Sequence, residues 1–318
     1  MTPRSGSSVV TLGETMALAS SSTALPHAAA LELGIGGAES NVAIGVRRLG
    51  AAATWVGRVG DDPLGARVLR ELRAEGVDLA AVRDPDAPTG LMVKERRSAV
   101  SSSVWYYRAG SAGSRLSPAD LPPGLVAGAD VLHLTGITPG LSASAAAAVD
   151  AALAEAVAAG VPVSFDVNHR DGVWRGRDPR ASYASLARAA SVVFAGEDET
   201  RLLTGTSATD PADLLDALAE ASGGDAVLKL GERGCAAVVG GERLVVPAVA
   251  VPVVDTVGAG DAFVAGYLAD LVAGLPAADR LRTAVRCGAF ACTSPGDWEG
   301  LPTRDDLGLL DGGEAVRR

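Results

Sequence analysis

The chain has 318 residues, 48% of them hydrophobic but only 4% aromatic, so a substantial core must be filled by Ala, Val and Leu. A net charge of −10 argues against nucleic acid or an anionic membrane surface as partner. Three cysteines, Cys235, Cys287 and Cys292, are too few and wrongly spaced for a disulfide framework or a zinc site, and no apolar run reaches membrane-spanning length.

In chain order, Val9-Val-Thr-Leu12 reads as a first strand, since Glu14 interrupts a leader-like reading. Ala17 to Leu33 is weakly patterned, consistent with irregular strands. Glycines at 34, 36 and 37 lead into a helix from about Glu39, with Gly50 as its stop. A dinucleotide fingerprint would need glycine where Glu39 stands, which argues against a dehydrogenase. Gly57 to Gly65 opens a second helix, 64–75, ended by Gly76. Two extended runs, 89–94 and 100–108, join 14–34 as a small sheet set apart from the main body. Beyond Asp130, strands at 131–134, 161–167, 192–195 and 226–230 alternate with helices at 143–159, 179–189, 197–203 and 211–221. That alternation predicts a parallel sheet covered on both faces. A hairpin at 236–239 and 243–246, helices at 262–273 and 277–292, and a frayed end from about Asp311 complete the chain.

The stretch 255–267, Asp-Thr-Val-Gly-Ala-Gly-Asp-Ala-Phe-Val-Ala-Gly-Tyr, carries the chemistry. Its glycines at a loop-to-helix junction let backbone N–H groups converge where the new helix adds its positive end, a site suited to phosphate. A carboxylate such as Asp261 is an ordinary helix-start residue, yet beside a phosphate nest it makes sense as the group that orients an attacking hydroxyl. The helix end is expected to keep Asp261 ionised and therefore a weak base, which suffices for a loose phosphoryl-transfer transition state. Neither Lys94 nor Lys229 follows a glycine, so no Walker-type phosphate loop exists.

This stretch resembles the carboxy-terminal signature of the ribokinase-like (PfkB-type) sugar kinases. Gly34 to Gly50 resembles the amino-terminal Gly-Gly-x-x-x-Asn signature of the same family, and Gly57 to Gly65 matches its second loop. The resemblance implies an α/β, ribokinase-like fold: a mostly parallel central sheet flanked by helices on both faces, with a small β-sheet lid. Residues 1–318 would form a single kinase domain, with lid strands from about 14–34 and 89–108. It also implies a cytoplasmic enzyme using ATP and Mg2+, leaves activation by a monovalent cation such as K+ open, and suggests a homo-oligomer formed through the lid. On the same resemblance Asp261 is the catalytic base, and Gly258, Ala259 and Gly260 supply the anion hole. Lys229, Gly231 and Gly234 would serve the nucleotide side together with Gly258 and Gly260. Glu199 occupies the glutamate place of an Asn-x-x-Glu motif that helps hold hydrated magnesium, with Gly196 where the asparagine belongs.

Substrate class turns on the arginines, because a sugar acid needs a forked cation and a neutral sugar needs only hydroxyl partners. The stretches 106–114, 133–139, 164–170 and 296–300 resemble those of 2-keto-3-deoxygluconate kinases. Carried over, Arg108 and Arg170 would meet the carboxylate and keto end, Tyr106, Gly37 and Ile137 would line the pocket with Asn41, and Asp297 would touch a distal hydroxyl. Arg96 stands where related enzymes can carry a tyrosine, which would alter pocket preference. The expectation is an ATP-dependent kinase for the primary hydroxyl of 2-keto-3-deoxygluconate. Its alternatives are a sibling kinase for a neutral sugar or nucleoside, of fructokinase or ribokinase type, and a non-catalytic sugar- or nucleotide-binding regulator. The choice between gluconate- and galactonate-derived acids stays open.

Overall fold

Neighbouring residues of the central strands feed two different cores. In β1 (Ser8–Leu12), Val9 packs into one apolar cluster, while Val10 and Leu12 pack into another. A strand that is apolar on both sides must be covered on both faces, which explains the near-continuous apolar runs of the sequence. The computed structural model describes residues 8–98 and 101–311. Val100, the expected start of the second lid run, and the expected frayed end beyond Asp311 fall outside them.

The weakly patterned stretch after β1, expected as irregular strands of the small sheet, forms two regular strands, β2 (Met16–Ser21) and β3 (Glu32–Gly36). Next come β4 (Ala52–Gly60), β5 (Asp78–Asp84), β6 (Leu91–Ser98) and β7 (Ser101–Tyr107). The second half holds β8 (Val131–Thr135), β9 (Val163–Asp166), β10 (Val192–Gly196), β11 (Asp225–Lys229), β12 (Cys235–Val239) and β13 (Glu242–Val246).

Among the described residues the large sheet has nine strands in the order β13-β12-β11-β10-β9-β8-β1-β4-β5. It is parallel from β11 to β5 and antiparallel at β12 and β13. Helices Ala38–Arg48, Pro63–Ala74, Ala259–Val272 and Ala277–Ala291 cover one face, where Trp55, Phe194 and Tyr267 are buried. Helices Ala143–Ala159, Arg180–Ala189 and Pro211–Ala221 cover the other around Phe165 and Tyr183. None of the helices is long and apolar enough to cross a membrane, among the described residues.

Chain order reverses between β1 and β8, since β4 and β5 extend one way and β9 to β11 the other. Ligands of open α/β sheets bind beyond the carboxyl ends of the strands at such a switch point. A second sheet, β3-β2-β6-β7, stands over that position. Its inner face packs Met16, Leu18 and Met92 together with Val104, while Trp105 and Tyr107 on the alternate face of β7 are exposed.

Candidate active site

Helix Ala259–Val272 begins three residues earlier than patterning predicts, directly from Gly258. Gly258 adopts φ 75°, and a Cβ there would strike the Asp297 carbonyl, so both backbone conformation and space require glycine. Gly258 and Gly260 face a cavity of about 560 Å3 together with Asp261. Ala259 is absent from the cavity wall, and its N–H donates within the turn to the Thr256 carbonyl at 3.3 Å.

Two amides hold Asp261. The Asn41 side chain, from helix Ala38–Arg48, donates to Oδ2 at 2.8 Å, and Asn168 donates to Oδ1 at 3.4 Å. Asn168 sits at φ 35°, a left-handed conformation that asparagine tolerates better than most residues and that commonly marks a functional turn. Burial pushes the Asp261 carboxyl up to about 7, with Asp166 nearby adding to the rise against Asn41, Arg170 and Lys229. This corrects the expectation of a weak, permanently ionised base. Removing water from the carboxylate outweighs the favourable helix end.

Lys229 ends β11 and lies within 2.7 and 2.9 Å of the two Asp166 oxygens, with Glu199 at 3.9 Å. Burial alone would lower its pKa, but Asp166 and Glu199 outweigh it and hold the ammonium charged. A Cβ on Gly260 would lie 3.9 Å from Nζ, so Lys229 stands beside the 258–260 glycine loop. Glu199 accepts the Gly196 N–H at 2.7 Å and the His169 N–H at 2.9 Å, closing the start of helix Glu197–Thr204. Gly196 thus serves as a backbone cap where the family motif has asparagine. Gly231 and Gly234, at φ 58° and 89°, shape the tight turn after Lys229 but lie outside the cavity wall.

At the other end, Arg108 lines the cavity just after β7 and pairs with Glu14 through Nε at 2.8 Å and a second nitrogen at 2.6 Å. The Glu14 side chain is 0% exposed and also accepts the Ser111 hydroxyl. Arg170 behaves differently. Its guanidinium bonds the neighbouring His169 carbonyl at 2.8 Å and makes no ion pair among the described residues. Tyr106, Gly37, Ile137, Asn41 and Asp297 all line the same cavity. Gly37 is required by space, because a Cβ there would meet the Glu14 carbonyl. Arg96 does not line it. Its guanidinium donates to the Val254 carbonyl at 2.7 Å, while Met92 and Lys94 are the β6 side chains that line the cavity.

Sequence reasoning missed Glu14, Glu39, Lys94, Asp166 and Asn168, all of which line the cavity. Glu39 is buried, accepts the Thr135 and Thr138 hydroxyls at 2.6 Å each, and is raised in pKa by its burial. Glu14, Asp166 and Asn168 lie at or just past the carboxyl ends of the parallel strands β1 and β9, a positional signal that the strand pattern of the sequence carries.

Over residues 7–304 the chain matches the model of the pfkB family carbohydrate kinases. It is 37% identical over 304 residues to a 2-dehydro-3-deoxygluconokinase of Bacillus subtilis, covering 94% of this chain and 93% of the relative. It is 33% identical over 310 residues to a 2-dehydro-3-deoxygalactonokinase of Haloferax volcanii, covering 96% and 98%. Among solved structures, a fructokinase from Vibrio cholerae O395 with fructose, ADP and calcium ion bound superposes with a TM-score of 0.82 at 29% identity, covering 96% of this chain and 99% of that one. A family match over nearly the whole length, on a sheet whose switch point carries an acid beside a glycine-rich helix start, identifies the chain as a member of the pfkB family of carbohydrate kinases, with the ribokinase-like fold.

Proposed function

We propose that this protein transfers the terminal phosphoryl group of ATP to the primary hydroxyl of 2-keto-3-deoxygluconate, giving ADP and the 6-phosphate. The observation that carries the reading is the presence, in one cavity, of Asp261 beside the anion loop and of Arg170, a guanidinium without an ion-pair partner among the described residues. A neutral sugar offers that fork nothing equivalent to a carboxylate. The two relatives named for deoxy keto-acids support the same substrate class.

In this reading Arg170 and Arg108 hold the acid end, and the small sheet closes over the sugar to exclude water. Asp261, steadied by Asn41 and Asn168, takes the proton of the primary hydroxyl as its oxygen bonds phosphorus. The bond to ADP breaks, and the Gly258 and Gly260 loop with Lys229 faces the charge spread over the phosphoryl oxygens. Mg2+, when bound, neutralises nucleotide phosphate charge. Glu199, with both oxygens already engaged by backbone N–H groups, fits a role through coordinated water. Exposed Leu33, Trp105 and Tyr107 on the small sheet support a homo-oligomer.

One observation favours a neutral sugar instead: Glu14 already neutralises Arg108. ADP release with 2-keto-3-deoxygluconate, its galactonate epimer, fructose, ribose and adenosine separates the two. Selective turnover of the keto-acids supports the proposal. Turnover of fructose or ribose alone keeps Asp261 and discards the carboxylate clamp, and silence on every compound favours a binding protein.

A further inference from the structure

Lys94 is a buried cation that none of the chemistry above uses. It projects from β6 into the cavity, with its side chain 8% exposed. Its Nζ donates to Asp255 Oδ2 at 2.8 Å, and Asp297 Oδ1 lies 3.8 Å away. Asp255 opens the anion loop, and its other oxygen accepts the Val257 N–H at 3.2 Å. The Asp297 backbone packs against Gly258, and its carboxylate lies close under Gly36 of β3. One ammonium therefore joins the small sheet to the anion loop and to the loop carrying Asp297.

An ammonium has three donors, and Asp255 takes one. The 3.8 Å separation from Asp297 is too long for a direct hydrogen bond. A hydroxyl oxygen placed between them can accept from Lys94 while its hydrogen is donated to Asp297. Both groups face the cavity, so the bridging hydroxyl can belong to the sugar. Asp255 prevents Lys94 from collapsing onto Asp297 and leaves the gap open.

The geometry points to Lys94 as a positioning and specificity-determining residue that, with Asp297, forms a donor–acceptor fork for one sugar hydroxyl away from the Arg170 end. The inference rests on reading this cavity as the sugar site. It goes beyond that reading in assigning the fork to Lys94, a residue neither ordinary charge nor motif singles out. Such a fork disfavours an analogue lacking the hydroxyl, because a Lys94 donor and the Asp297 carboxylate then each lose one hydrogen bond in a buried site.

The test uses the full chain and compares wild type, Lys94→Met and Asp297→Asn. The readouts are KM and kcat for the best sugar of the panel above, KM for ATP, and the same constants for deoxy analogues of that sugar lacking one hydroxyl each. Wild type should discriminate against one analogue by about 10-fold or more. Lys94→Met should raise KM for the full sugar by about 10- to 100-fold, leave KM for ATP within about 2-fold, and abolish discrimination against that single analogue. Asp297→Asn leaves the Lys94–Asp255 pair intact and should abolish the same discrimination, so the inference stays testable if Lys94→Met fails to fold. Equal rises in both KM values, or discrimination that survives in both variants, would overturn the fork and leave Lys94 a structural brace. If wild type turns over no sugar at all, the kinase reading fails first, which separates the two failures.

Discussion

Asn41 donates its side-chain amide to Asp261 at 2.8 Å, joining positions 220 residues apart. The bond occupies Oδ2 and leaves Oδ1 with only the longer contact from Asn168 at 3.4 Å. Oδ1 is therefore the less engaged oxygen and, in the proposed reaction, the one freer to accept from a substrate hydroxyl. Asp261→Asn should fold, bind ATP and lose at least about 10²-fold in turnover, the scale of a positioned general base. Unimpaired turnover in that variant would remove Asp261 from the chemistry.

Because burial raises Asp261 to about 7, the proposed base is half protonated near neutrality. kcat/KM should fall about tenfold per pH unit below that midpoint and level off above it. Asn41 lowers this pKa, so Asn41→Ala should move the midpoint to higher pH. The stability effect has the opposite sense. A carboxyl whose pKa is higher folded than unfolded favours the fold only at low pH, and that contribution is lost as pH rises through about 7. Asp261→Asn should accordingly melt at a higher temperature than wild type at pH 8, with the difference shrinking toward pH 4. A pH-independent difference would show that the carboxyl is not raised.

Arg108 and Arg170 should separate cleanly under mutation. Arg170 has no ion pair to lose among the described residues, so Arg170→Ala should leave stability within about 0.5 kcal/mol while raising KM for a sugar acid by about 10- to 100-fold. Arg108→Ala strands the fully buried Glu14 and should cost about 3–5 kcal/mol of stability. Adding Glu14→Gln to Arg108→Ala should recover part of that loss in thermal or urea unfolding. If both arginine variants destabilise alike, Arg170 has a structural partner.

Much of this arrangement is legible in the sequence, because its signals are local. Gly258 and Asp261 share one turn, Gly37 and Asn41 open one helix, and β8 to β11 keep the alternation of strand and helix. What escapes is pairing at long range. Glu14 acquires meaning only against Arg108, 94 residues on, and Lys94 only against Asp255, 161 residues on. Local spacing cannot reveal such partners. The ionisation of Asp261 escapes for a related reason: the helix end is visible in sequence, whereas the burial that overrides it is made by the whole cavity.

Gly258 offers the most direct structural check of the proposed anion loop. Its left-handed φ of 75° disfavours any side chain, and the space a Cβ needs is filled by the backbone of Asp297. A flexible side chain could swing aside, but a carbonyl fixed in its loop cannot. Gly258→Ala must therefore displace the 296–298 loop, shift the start of helix Ala259–Val272, or both. The strain alone should cost about 1–3 kcal/mol. Because the same shift moves the loop's backbone N–H groups away from the phosphoryl position, turnover should fall by more than stability explains. Gly50→Ala is the control, since Gly50 is also left-handed at φ 91° but has open space around it and stands outside the cavity. It should show the conformational cost without the catalytic loss. Equal turnover in the two variants, with both folded, would mean that the loop amides do not stabilise the transferring group.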